Sequence, residues 1–320
     1  MASRMMPQNK VIWAILAVFA ASGPFSVSAQ DSISISDQGV VGSGEASAAE
    51  NSGPRIKFLD DLFYLGRNGS SHDPYEERIE TERHDFTQST KTVGRHVAQI
   101  EGGYTYFYSD LEEEVEHSHT TPEMLLRFGL TDDIEVRARW TYAWSFVQEV
   151  ENIDGAEDLR FSVKLRTTDQ DGLIPESATE LRFTAPTGGD AFSTKRDEFG
   201  MDYIYGWHIS ERSEIYGSTG FGTQALGDFG LVPEEPAADR FTAWHQSAAV
   251  GTELTERMSM YNELYGIFSY GLEKNYAEAY YNIGVDYYLT DNLVADIRAG
   301  VGLTPDSDDF FSGVGGGYRF

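Results

Sequence analysis

The chain has 320 residues, 13% aromatics, 32 glycines, no cysteine and a formal charge of -28. That length suits one large β domain or two small ones, and the acid excess excludes nucleic acid as a partner, because phosphate binding draws on basic surface. Low mean hydropathy excludes a helical membrane protein, and the lack of cysteine excludes a lipid anchor on a mature N-terminal cysteine.

Arg4 and Lys10 form a basic start, Val11 to Ala21 an apolar core, and Val27-Ser28-Ala29 a small-residue cleavage site after the break at Gly23-Pro24. This is the pattern of a secretory signal peptide, residues 1–29. Its core is too short to span a bilayer as a helix, which takes roughly 20 apolar residues. From Gln30 to Pro54 the chain is Ser, Gly, Ala and acid, with too little apolar matter to offset the entropy of ordering. Ile56 to Leu65 is a short apolar island able to dock, and Ser70 to Thr92 is polar again. Residues 30–94 are therefore expected to form a low-complexity periplasmic tail.

After Arg95 alternation takes over. Ile134, Val136, Ala138, Trp140, Tyr142, Trp144 and Phe146 interleave with Glu135, Arg137, Arg139, Thr141, Ala143 and Ser145. Period two means a strand with one apolar and one polar face. The pattern recurs from Leu159 to Arg166, from Glu180 to Ala185 and from Leu293 to Val301. Four related segments, beginning at Leu130, Ile209, Leu254 and Leu289, each place a hydroxyl and an acid before a new alternating run, a composition that favours tight turns. A fifth turn fits at 168–175. Longer acidic connections occupy 110–118, 148–157, 187–197, 226–239, 271–275 and 304–309.

Short turns alternating with long loops predict an all-β, transmembrane, antiparallel up-and-down β-barrel at residues 95–320. The strands are predicted near 95–109, 119–130, 133–147, 157–167, 177–186, 198–209, 212–224, 240–254, 257–270, 276–289, 292–303 and 310–320, about 12 in all. An even number puts both termini on the periplasmic side. A soluble β-sandwich would also alternate. Lipid is favoured by aromatic residues on the apolar face (Tyr104, Tyr106, Tyr108, Tyr203, Tyr205, Trp207), by long charged residues on the other, and by an ending in mid-strand at Tyr318-Arg319-Phe320.

That ending resembles the assembly signal of bacterial outer-membrane proteins, with Tyr318 and Phe320 sharing a face with Val314 and Gly316. The resemblance implies recognition by the barrel-assembly machinery. A narrower resemblance lies in Thr81-Glu82-Arg83-His84-Asp85-Phe86-Thr87-Gln88-Ser89, in Glu101 to Tyr106 and in Thr121 to Asp132. These runs are similar to the outer-membrane transporter family named for the meta-pathway of phenol degradation, which usually has Pro where this chain has His84. The resemblance spans most of residues 81–320 and implies a barrel that passes small, in some cases aromatic, molecules.

The polar face of the early strands holds Arg127, Arg137, Arg139, Arg160, Lys164, Arg166 and Arg182, accompanied by Glu123, Glu135 and Glu180. Later strands place Glu214, Glu263, Glu278, Asp286 and Asp296 on that face, with Arg298. Closing the strands would oppose a basic wall to an acidic one. Such a lumen either imposes a transverse field on permeating solutes or pairs its charges across a packed interior. The acids and histidines of 112–119 read as a solvated loop rather than a metal site. His208 and His245 are predicted to face the lumen with no serine or acid beside them in sequence. No zinc-protease helix, phosphate loop or dinucleotide fingerprint is present, and Gly217 to Gly222 and Gly313 to Gly317 read as strand glycines at bends or close contacts.

The expectation is thus a non-enzymatic channel without cofactor or metal, in contact with outer-membrane lipid and a small polar or amphipathic solute. A plugged structural or adhesin-like barrel is the alternative. A lipid hydrolase would need a histidine facing lipid at the rim, which the histidine positions disfavour.

Overall fold

In the computed structural model the described residues are 57–58, 73–83, 85–111, 114–147, 152–224, 241–271 and 275–320. The expected signal peptide and most of the expected tail lie outside them. The alternating runs form β1 (Ala98–Leu111), β2 (Glu114–Gly129), β3 (Ile134–Val147), β4 (Ile153–Ala156), β5 (Leu159–Thr168), β6 (Glu176–Ala185) and β7 (Glu198–Ser210). They continue with β8 (Ser213–Gln224), β9 (Phe241–Thr255), β10 (Met258–Tyr270), β11 (Ala277–Thr290), β12 (Leu293–Gly302) and β13 (Phe310–Arg319). Short β4 and β5 both pair with β3, so they are two pieces of one stave broken at 157–158. The strand expected from 157 thus extends backward into the expected loop 148–157.

Each strand pairs antiparallel with its sequence neighbour, and β1 pairs with β13 from Gln99↔Arg319 to Tyr108↔Phe310. The result is a closed barrel of 12 staves. Closure removes free strand edges and leaves the backbone amides bonded between strands, as a bilayer demands. The short turns 130–133, 211–212, 256–257 and 291–292 gather at one end, together with 169–175.

The two faces of the wall are inverted relative to a soluble protein. Glu101, Glu135, Lys164 and Glu263 are at most 1% exposed, whereas Phe199, Ile297 and Val314 are at least 50% exposed. Arginine or lysine placed against lipid at mid-membrane costs roughly 2–4 kcal/mol each. This cost orients every strand, and one wrong register step would exchange the two faces.

The described part of the expected tail behaves differently from expectation. Residues 79–83 and 85–93 lie inside the barrel, with Ile79, Glu82, Arg83 and Thr87 buried. Their polar composition matches the interior of the barrel, so exclusion from an apolar core does not mean exclusion from this one. Lys57 also reaches the short-turn end, its Nζ lying 2.7 Å from Asp169.

Candidate functional site

The inner segment enters at the short-turn end. Arg319 Nη1 and Nη2 donate to the carbonyls of Pro74 and Glu77 at 2.8 and 2.7 Å. Ile79 N donates to Asp291 O at 2.7 Å, and Arg78 pairs with Glu253. The return arm descends through Thr90, which bonds Glu176, and Val93, whose amide donates to Glu135 Oε2 at 2.7 Å. Thr92 Oγ1 then donates to Asp132 O in the β2–β3 turn at 2.6 Å, just before β1 begins. The segment is therefore a loop that rises into the lumen and returns to the end it came from.

Two adjacent residues near its apex face opposite charges. Glu82 lies within 3.0 Å of Arg127, 2.5 Å of Arg137 and 2.5 Å of Lys164, three cations from β2, β3 and β5. Arg83 turns to the other side, where it meets Glu123 at 2.6 Å and Asp296 of β12. Glu101 of β1 accepts the amides of both residues at 2.8 and 2.9 Å. Beyond them Glu263 of β10 accepts the amides of Phe86 and Thr87 at 3.1 and 2.6 Å. Thr87 Oγ1 meets Ser247 Oγ of β9 at 2.6 Å. One short peptide thus ties together strands from most of the circumference.

Room for this passage is made by glycine. Gly103 and Gly315 face each other across the β1–β13 seam. A Cβ at either would fall 2.3 or 2.2 Å from the Arg83 guanidinium. The glycine-rich β13 is therefore a case of close approach rather than a bend.

The structure brings Arg127, Arg137, Lys164, Glu263 and Asp296 into the belt around the segment. Around it, Arg127 also pairs with Glu135 at 2.8 Å and Arg137 with Glu180 at 2.9 Å. Arg182 pairs with Asp202 at 2.8 Å, and Arg298 donates to Thr105 at 2.7 Å. Asp286 meets Ser259 at 3.3 Å. Arg166 sits at the short-turn rim, 3.1 Å from Asp169. Among the described residues Arg139 reaches only the Glu82 carbonyl, at 3.3 Å, and Arg160 opposes it across the β3–β5 pairing. Basic and acidic walls are present, but the segment mediates between them. Glu82, Arg83 and Thr87 were not among the expected site residues. The neighbouring opposite charges of Glu82 and Arg83, and the glycines of two strands that close on each other, were the available signals.

The segment separates cavities. On the short-turn side a space of about 460 Å³ is lined by Glu80, Lys91, Glu214, Glu253, Asp286 and Tyr288, among others. On the long-loop side lie two of about 290 Å³ each, which share Asp85, Phe86, Arg139 and Arg160.

Acids do lie beside the inner histidines in space. His245 Nε2 is 2.6 Å from Asp202, and His208 is 3.6 Å from Glu214. Glu214 on β8 comes from the strand beside His208, and Asp202 on β7 lies two strands from His245 on β9, so a search for local pairs could not find them. His117 and His119 belong to β2 and not to a loop, and they bond Tyr106 and Tyr104 at 2.7 Å on the outer face, contrary to the expectation that the histidine positions leave none facing outward. Tyr318 and Phe320 are likewise exposed on the outside, with their rings edge to face.

The fold resembles that of the COG4313 outer membrane channel from Pseudomonas putida F1, with a TM-score of 0.58 and 12% identity over 75% of this chain and 100% of that one. Weaker likenesses are the translocator domain of the autotransporter NalP from Neisseria meningitidis (TM-score 0.47, 12% identity, 71% and 89% covered) and the KdgM porin (TM-score 0.42, 9% identity, 69% and 99% covered). No curated protein matches the sequence. The family model described as "Putative MetA-pathway of phenol degradation" matches residues 81–320, from the apex of the inner segment to the last strand, and the chain is a member of that family.

Proposed function

We propose that this barrel is a bacterial outer-membrane channel for small polar or amphipathic solutes, and that the segment from 73 to 97 is its gate. The carrying observation is the pair of polar cavities above and below one thin, hydrogen-bonded peptide. A lumen filled by wall side chains alone could open only by reshaping the barrel, whereas a peptide held by side-chain contacts can move while the wall stays paired. In this reading the short turns and both termini face the periplasm, and the long loops face outward. Tyr318 and Phe320 present the assembly signal. The phenol pathway in the family's description makes small aromatic solutes the first class to try.

The test is conductance of the purified full chain in a planar bilayer, with Glu82→Ala as the comparison. Brief openings that become longer in the variant support the channel. A second reading, the plugged structural barrel, is favoured by the number of strands the segment ties together. Silence in both proteins, each shown to be folded by heat-modifiable gel migration, would select it.

A further inference from the structure

We infer that Arg139 and Arg160 form a binding subsite for the carboxylate of a small solute with an apolar, ring-sized body. The two residues are direct partners in the β3–β5 register, both on the inner face. Directly opposed residues in an antiparallel pair have Cα atoms only about 4.5–5.5 Å apart, so the two arginines leave the wall at neighbouring points, and both line the same two cavities. Among the described residues, the Glu82 carbonyl is the one hydrogen-bond partner of Arg139, and no carboxylate lies within 4.0 Å of either arginine. Two residues along β3, Arg137 meets Glu82, Glu135 and Glu180. Glu157 shares a cavity with both arginines and attracts them without coming within 4.0 Å, while four other acids lining the two cavities are engaged elsewhere. Glu180 serves Arg137, Asp202 serves Arg182, Glu123 serves Arg83, and Asp158 accepts the amides of Gly188 and Thr194.

Two like charges held side by side are mutually repulsive, and a bound anion relieves that repulsion. A carboxylate fits because guanidinium binds it with two parallel charge-assisted hydrogen bonds. The body of the ligand is set by what stands beside the arginines. Phe86, at the apex of the inner segment, stacks on Tyr265 at 4.3 Å and presents its edge to His245. Phe86 lines both cavities, with Phe107 and Met124 in one and Leu125 and Ile267 in the other. Charged and apolar surfaces meet there, so a solute with a carboxylate at one end and a ring at the other satisfies both.

This inference rests on the channel reading for its route of access, and the experiment separates the two. Detergent-solubilised full-length barrel is titrated with benzoate, benzyl alcohol and acetate, with binding followed by ligand-observed NMR. Benzoate is expected to bind saturably, with benzyl alcohol at least roughly tenfold weaker, the scale of one lost charge-assisted contact, and acetate weaker through the apolar burial its missing ring gives up. Arg139→Gln and Arg160→Gln should each weaken benzoate by a similar factor, while Arg257→Gln, in an exposed turn, should leave it unchanged. Because neither arginine is ion-paired within 4.0 Å to a carboxylate among the described residues, both variants should keep their heat-modifiable fold. Arg160→Lys, which retains charge without the fork, provides a second measure and should fall between wild type and glutamine. Equal binding of benzoate and benzyl alcohol, or unchanged benzoate affinity in both glutamine variants, overturns the subsite. Acetate binding as tightly as benzoate overturns the ring-sized body. In liposome swelling, no flux of any solute together with arginine-dependent benzoate binding overturns the channel and leaves the subsite. Flux with arginine-independent binding overturns the subsite alone.

Discussion

Arg137 and Arg139 stand two residues apart on one face of β3, yet their surroundings have little in common. Arg137 is ion-paired with three carboxylates, one of them supplied by the inner segment. Arg139 has a single carbonyl and opens onto the long-loop cavities. The same division separates Lys164 from Arg160 on β5. Strand position alone thus says which way an arginine points, while the height of the inner segment decides whether its charge is spent on structure or left for a ligand.

Breaking the engaged half should have the largest effect. Glu82→Ala removes the carboxylate shared by Arg127, Arg137 and Lys164. Leaving buried charge without its partner costs about 3–5 kcal/mol. The segment is expected to undock, seen as new protease cleavage between 73 and 92 and as longer open times. A segment that stays protected in this variant would mean that the belt does not hold it.

A smaller effect is expected from the glycines opposite. Gly315→Leu puts carbon into the space of the Arg83 guanidinium, and overpacking of this kind costs about 1–3 kcal/mol. Because the backbone pairing of β1 and β13 does not depend on that side chain, the barrel should remain closed while the gate loosens. Loss of the heat-modifiable form, with no folded but leaky state, would place the strain in the seam instead.

The open half should respond in selectivity and not in stability. Replacing Arg139 and Arg160 together by Glu removes no carboxylate pair, so the folded form should persist. The reversal potential in a salt gradient should move towards cations. An unchanged reversal potential in a conducting barrel would take these arginines out of the permeation path.

The contrast between the two halves also marks what could be read from sequence. The strands were legible because lipid outside and water or charge inside impose a strict period of two, and hydroxyl-acid turns punctuate it. Runs such as Ile134 to Phe146 carry that signal without help from the rest of the chain. The arginines of β2, β3, β5 and β6 could be placed indoors for the same reason. Glu82, Arg83 and Thr87 could not, because a peptide that crosses a polar lumen has no periodic face and the composition of a solvated tail. Which arginines are engaged depends on that peptide, so a strand-by-strand reading left pairing across the lumen as an open alternative. The split of β4 from β5 at 157–158 was hidden by the acidic composition that had marked the region as loop.

The smallest effect tests whether neutral contacts of the segment matter beside its charges. Thr87 makes two kinds of bond: its amide donates to Glu263, and its hydroxyl meets Ser247. Thr87→Val keeps the first bond and the shape of the side chain but removes the second. Ser247 retains Ser218, whose amide and hydroxyl lie 3.0 and 2.8 Å from its Oγ, so no buried hydroxyl is left alone. The expected loss is therefore that of one net hydrogen bond, about 0.5–1.5 kcal/mol. For a segment in equilibrium between docked and undocked forms, 1 kcal/mol changes their ratio by roughly fivefold. Conductance should show that change as a modest rise in open probability, well below that of Glu82→Ala, with selectivity unaltered because Arg139 and Arg160 are untouched. A rise equal to that of Glu82→Ala would mean that the apex contacts, rather than the belt of charge, hold the gate shut.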